Sequence, residues 1–167
     1  MPKDVKDVID QVIAREVDPS DRSKISNDPA DKGGRTAYGI SEKANPDLWK
    51  DGPPTEAQSR ERYEQRYIRY PGFDKITDKQ LQSQLIDFGV NSGPGIAVKK
   101  LQEILQVEVD GVLGPETLGA LEKCHPEDIN NLLVGARVRM IGKIVSKNPS
   151  QLKWLNGWLA RAVEWLT

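Results

Sequence analysis

Prolines and glycines cut this chain into short apolar stripes of helical period, and that punctuation constrains the fold more than any other feature. Val5, Val8, Ile9, Val12 and Ile13 repeat at three- and four-residue spacing and predict an amphipathic helix from Lys3 to Arg15. After Pro53 and Pro54, Thr55 and Gln58 have the form of a capping box. The helix they open carries Tyr63, Tyr67 and Tyr70 on one face, and Pro71–Gly72 ends it. Thr77 and Gln80 repeat the capping signal before Leu81, Leu85, Ile86 and Phe88. The run from Asn91 to Gly95 stops that helix before Val98, Leu101, Ile104 and Leu105 form a fourth. Pro115 suits the first position of a short helix, Pro126 opens a longer one to Val145, and Pro149 precedes the last, Gln151 to Leu166. The pattern is that of a mainly α domain with about seven helices.

One stretch breaks the pattern. In "AREVDPSDRSKISNDPADKGGRTAYGIS", residues 14–41, helical periodicity stops after Glu16, and Asp, Gly and Pro predict a looped excursion carrying short hairpin strands. Glu16 lies four residues after Val12 and three after Ile13, so it sits at the rim of the buried face. A carboxyl group half removed from water resists ionisation and suits a general acid; the competing reading is an ion pair with Arg15, Arg22 or Arg35. The loop returns Asp18, Asp21, Asp28 and Asp31 towards the same helix end. Paired carboxylates are what acetal hydrolysis requires, one to protonate the leaving oxygen and one to direct water or attack the sugar. Thr36 offers a hydroxyl to hold such a water. No Asp-x-Asp-x-Asp-Gly loop with a glutamate at its twelfth position occurs, at Asp110–Gly111 either, so calcium is not expected.

Bulk composition excludes several other classes. The 167 residues suit one domain, and 24 basic against 25 acidic side chains give no reason to expect nucleic acid as a partner. No run of 18 apolar residues or signal-peptide pattern is present, so a soluble product without stable membrane insertion is expected. One cysteine, Cys124, and one histidine, His125, allow neither an internal disulfide nor a zinc site of that kind. Adjacent in sequence and just before Pro126, the two are poorly placed to form a nucleophile–base pair.

"SNDPADKGGRTAYGIS", residues 26–41, resembles the Asn-Asp-Pro-x-Asp-x-Gly-Gly-x-Thr-x-x-Gly-Ile signature of the glycoside hydrolase family 108 muramidases, common among bacteriophage endolysins. "DFGVNSGPGIAVKKLQEIL" and "VDGVLGPETLGAL" are similar to that family's peptidoglycan-binding region, and "LKWLNGWLARAVEWL" to its closing helix. The resemblance implies a lysozyme-like helical fold, with residues 1–90 as the catalytic part and 91–167 as a peptidoglycan-binding-like part packed on it. It also implies hydrolysis of the β-1,4 bond between N-acetylmuramic acid and N-acetylglucosamine, without cofactor or metal. Carried onto this chain, it makes Glu16 the acid, Asp31 the carboxylate that orients water or stabilises the oxocarbenium ion, and Thr36 its hydroxyl partner. Asp28 is the alternative second carboxylate and also suits an Asx-turn before Pro29. Where the family has Gly-Gly-Tyr after the glutamate, this chain has Val17–Asp18–Pro19. A peptidoglycan-binding protein of the same fold, or a lytic transglycosylase, is therefore the alternative. As an endolysin the chain would be a monomer made in the host cytoplasm, acting in the periplasm or wall once a separate protein has permeabilised the membrane.

Tyr38 is the aromatic residue expected in the glycan cleft, whereas Tyr63, Tyr67 and Tyr70 read as core. Leucines and tryptophans leave the last helix apolar almost all round, so it is expected to be central, with Trp154, Trp158 and Trp165 mainly structural. From Ile129 to Thr167 six basic residues face one acid, Glu164, which is either a wall-attracting face or ordinary solvated surface.

Overall fold

The computed structural model describes residues 5–16, 25 and 35–167. Helix α1 spans Val5–Glu16, and strands β1 (Thr36–Ala37) and β2 (Ile40–Ser41) pair antiparallel as one small hairpin. The other helices are α2 (Glu56–Glu64), α3 (Lys79–Ser92), α4 (Pro94–Leu105), α5 (Pro115–Leu121), α6 (Pro126–Lys147) and α7 (Leu155–Val163). This is the mainly α, lysozyme-like arrangement, with seven α-helices among the described residues.

Helix α3 is the axis of the core. Leu81, Leu85, Ile86 and Phe88 are essentially inaccessible, and α1, α4 and α6 all pack against it. Val8 and Ile9 of α1, Ile40 of β2 and Tyr63 of α2 join the same apolar cluster, so one core anchors the first helix and the hairpin together. Gly89 permits a close approach within the core: a Cβ there would lie 3.3 Å from both the Phe73 ring and the Pro94 backbone. Asp10 fastens α1 to α2 at the surface, with Arg60 Nη2 at 2.6 Å and Lys6 Nζ at 2.7 Å.

Three expectations need correction. The capping box at Thr55 and Gln58 forms, but the second does not: Asp78 caps α3, its Oδ1 accepting the Leu81 N–H at 2.8 Å. A carboxylate one residue nearer the helix outcompetes the Thr77 hydroxyl. Tyr70 is 93% exposed rather than core. Beyond Glu64 the chain passes into a π-helical turn, Gln65–Arg69, whose wider winding rotates Tyr70 off the face that holds Tyr63 and Tyr67. The last helix is peripheral rather than central. It divides into a 3₁₀ segment, Pro149–Trp154, and α7, which pack on α6 and on each other. Trp165 is buried, but Leu152, Trp154 and Leu166 are more than half exposed.

Candidate functional site

The end of the signature segment, residues 35–41, folds into a tight hairpin. Thr36 pairs with Ser41 and Ala37 with Ile40, leaving Tyr38–Gly39 as a two-residue turn with φ of 49° and 73°. Positive φ at both central positions is the type I′ geometry that matches strand twist, and glycine serves it freely at the second position. Ala37 and Ile40 point into the core, so their neighbours Thr36 and Ser41 remain half exposed. The hairpin's open end is closed by a charged fork: Arg35 Nε and Nη2 donate to the two Glu42 carboxylate oxygens at 2.8 and 2.7 Å. Arg35 also stacks 5.0 Å above Trp49, whose indole N–H donates to the Ile40 carbonyl at 3.2 Å. The Arg35 guanidinium, by hydrogen bond and charge, holds the Glu42 carboxyl below its usual range.

Beside the hairpin lies a cleft of about 190 Å³. Ser41 and Asn45 form one side, Arg62, Tyr63, Arg66 and Tyr67 the other, and Val90 of α3 contributes where they meet. The Tyr63 and Tyr67 rings stack with centroids 6.0 Å apart, and the Arg66 guanidinium lies 5.6 Å from the Tyr67 centroid. Asn45 ties the two sides together. Its amide N–H donates to the Ser41 carbonyl at 3.1 Å, and its Oδ1 accepts from Arg62 Nη1 at 3.2 Å. Arg62 also pairs with Asp47, lowering the pKa of that carboxyl. An aromatic ledge, hydrogen-bonding groups and a cation suit a polar ring that carries anionic substituents.

The expected site residues divide into three groups. Glu16 is the final residue of α1, as the apolar stripe predicts, but its side chain lies outside the description. Asp28 and Asp31 lie outside the described residues. Thr36 stands opposite Ser41, which lines the cleft, but neither Thr36 nor Ala37 of its strand is itself among the lining residues. Tyr38 occupies the turn and packs partly on the core, and its carbonyl accepts the Tyr63 hydroxyl at 3.3 Å. Sequence reasoning missed Arg62 and Arg66. The signal was the pair of Arg-Tyr doublets at 62–63 and 66–67, whose four-residue spacing puts both on one helical face. Cys124 shows no nucleophile geometry: its Sγ donates to the Ala120 carbonyl at 3.4 Å.

Two buried polar clusters support this frame. Gln102 holds the turn "VDGVLGPETL": its Nε2 donates to Asp110 Oδ1 at 2.7 Å, the Val112 carbonyl at 3.0 Å and Thr117 Oγ1 at 3.1 Å. Its Oε1 accepts the Gly111 N–H at 2.8 Å, and Gly111 has φ of 82°. On α3, Asp87 is 3% exposed and accepts from Arg137 Nη2 at 2.8 Å, Arg161 Nε at 2.9 Å and the Trp165 indole at 3.3 Å. Two of the six basic residues after Ile129 thus turn inward, which removes them from any wall-attracting face.

The family model described as Glycosyl hydrolase 108 matches residues 10–93. A second, described as Predicted Peptidoglycan domain, matches residues 96–163. Asp87 therefore lies in the first matched region, and Arg137 and Arg161 in the second. No curated protein matches the sequence. Among solved structures the chain is similar to Brucella abortus SagA, at 24% identity with a TM-score of 0.63, covering 96% of this chain and 94% of that one. At that identity the likeness speaks to the fold.

Proposed function

The chain belongs to the glycosyl hydrolase 108 family, and from that premise we propose that this glycoside hydrolase, which acts on peptidoglycan, is an N-acetylmuramidase. Glu16, at the end of α1, protonates the glycosidic oxygen between N-acetylmuramic acid and N-acetylglucosamine. Asp31, with Asp28 as the alternative, orients the attacking water or stabilises the oxocarbenium ion, and Thr36 holds that water. The observation that carries the reading is the hairpin: Thr36 faces Ser41, and Ser41 lines the cleft walled by Tyr67 and Arg66. Tyr38 shapes the turn beside it.

The biological part of the proposal rests on the resemblance of residues 26–41 to phage muramidases. As a monomeric endolysin, the protein is made in the host cytoplasm and reaches the periplasm through a lesion made by a separate membrane-permeabilising protein. No helix among the described residues is long and apolar enough to cross a membrane.

Digestion of Gram-negative peptidoglycan, followed by borohydride reduction and mass spectrometry, tests the chemistry. Fragments ending in reduced muramic acid are expected, and Glu16→Gln lowers their rate by about 10²- to 10⁴-fold, the usual contribution of a positioned acid. Undiminished digestion by a folded Glu16→Gln protein removes Glu16 from the mechanism. Anhydro ends would make the protein a lytic transglycosylase. Firm wall binding without fragments would make it a binding protein, its chemistry lost with the Val17–Asp18–Pro19 replacement.

A further inference from the structure

Beyond the hairpin cleft, a second cavity of about 140 Å³ opens between the end of α3, α6 and α7. Met140, Ile144 and Trp158 give it apolar walls, Asn91 borders it, and Arg137 and Arg161 supply its charge. The charge is unbalanced. Two guanidiniums share the carboxylate of Asp87. Arg161 commits Nε and Nη2 to Asp87 Oδ1, at 2.9 and 2.5 Å, and its side chain keeps 15% exposure. Arg137 is 4% exposed, and its Nη1 is buried without a hydrogen-bond partner. The Asp87–Arg137–Arg161 cluster thus carries two cations to one carboxylate beside an apolar wall, with Arg137 also 5.0 Å from the Phe88 ring centroid, and low dielectric strengthens its pull on an anion.

We propose that this cavity binds the terminal carboxylate of a peptidoglycan stem peptide, with the D-alanine methyl group against Met140, Ile144 and Trp158. The inference rests on peptidoglycan being the polymer held by the chain. Its glycan strands bear short peptides that end in free carboxylates, which supply both the anion and the small apolar group the cavity requires. Size agrees: pockets for whole drug-sized ligands span roughly 300–1,000 Å³, so this one takes only the end of a longer molecule. Position agrees as well. Val90 lines the hairpin cleft and Asn91 lines this cavity, one residue and about 100° further round α3. Glycan in the first site and its stem in the second would fix the strand's register along the cleft.

Calorimetric titration of the full chain with N-acetyl-D-alanyl-D-alanine tests this without any hydrolysis, so its result is independent of the muramidase reading. Saturable binding is expected, with the C-terminal amide of the same dipeptide about tenfold weaker or worse. Ile144, 40% exposed at the mouth, accepts Ile144→Glu without disturbing α6 and brings a competing carboxylate to the guanidiniums. This variant should lose about tenfold or more in affinity while its circular dichroism is unchanged. Equal binding of acid and amide, no saturation by the dipeptide, or unaltered affinity in a folded Ile144→Glu protein would overturn the proposal. Acetate binding as tightly as the dipeptide would reduce the cavity to a plain anion site and overturn the peptide assignment.

Discussion

The two flanks of α3 handle charge in opposite ways. On the hairpin flank, Asp10–Arg60, Arg35–Glu42 and Arg62–Asp47 pair at the surface, each with substantial exposure on at least one side. On the α6–α7 flank, Asp87, Arg137 and Trp165 are buried and Arg161 nearly so. Surface pairs are individually weak, screened by salt and able to re-form when a ligand arrives. A buried cluster depends on every member, because a stranded charge has no water to fall back on. The difference teaches that the hairpin edge is held by adjustable contacts, while the seam between the two family-matched regions is fixed by one carboxylate.

The largest effect should come from breaking that seam. Asp87→Ala leaves two guanidiniums without their carboxylate and should destabilise the chain by about 3–5 kcal/mol, the usual cost of removing one partner of a buried pair. The midpoint of urea denaturation measures it. A loss below about 1 kcal/mol, typical of exposed pairs, would place Asp87 with the surface contacts and erase the contrast.

A network centred on a neutral amide, between α4 and the turn before α5, gives the next step down. Gln102→Ala strands the Gly111 N–H and the Thr117 hydroxyl and should cost about 1–3 kcal/mol. Thr117→Val removes one of the four hydrogen bonds and should cost less. If Gln102→Ala equals Asp87→Ala, charge is not what sets the seam apart.

Legibility in the sequence follows the same division. Helix starts were readable where their causes are local: Pro115 and Pro126 each sit in a first helical turn, and Thr55 and Gln58 exchange their capping bonds within four residues. Glu16 was readable as a helix end by extending the apolar stripe. The Asp87 cluster was not, since its arginines lie 50 and 74 residues away and nothing local distinguishes Asp87 from a solvated acid. Tyr70 misled for a related reason: its phase depends on a π-helical turn, which four-residue spacing cannot reveal. The cleft's arginines were visible as doublets, but only the packing of α2 against the hairpin gave them a common space to line.

The smallest effect is an acid titration that separates the flanks within one molecule. Hydrogen bonds from Lys6 and then Arg60 lower the pKa of Asp10, Arg35 lowers that of Glu42, and Arg62 lowers that of Asp47. A carboxyl depressed in the folded state contributes its full stabilisation above its unfolded value, and that contribution vanishes as pH falls through the depressed folded value. The hairpin should therefore loosen below the ordinary carboxylate range. The indole N–H signal of Trp49, bonded to the Ile40 carbonyl beneath Arg35, reports it by NMR. High salt should mute the change by screening the same pairs. Asp110 is the control on the other flank, lowered chiefly by the Val112 backbone N–H and then by Gln102, short-range bonds that salt leaves nearly intact. A Trp49 signal that shifts reversibly and salt-dependently while Gly111 holds separates the flanks as argued. Both signals vanishing in one salt-independent step would mean that the hairpin pairs have no stability of their own and that the seam alone governs acid unfolding.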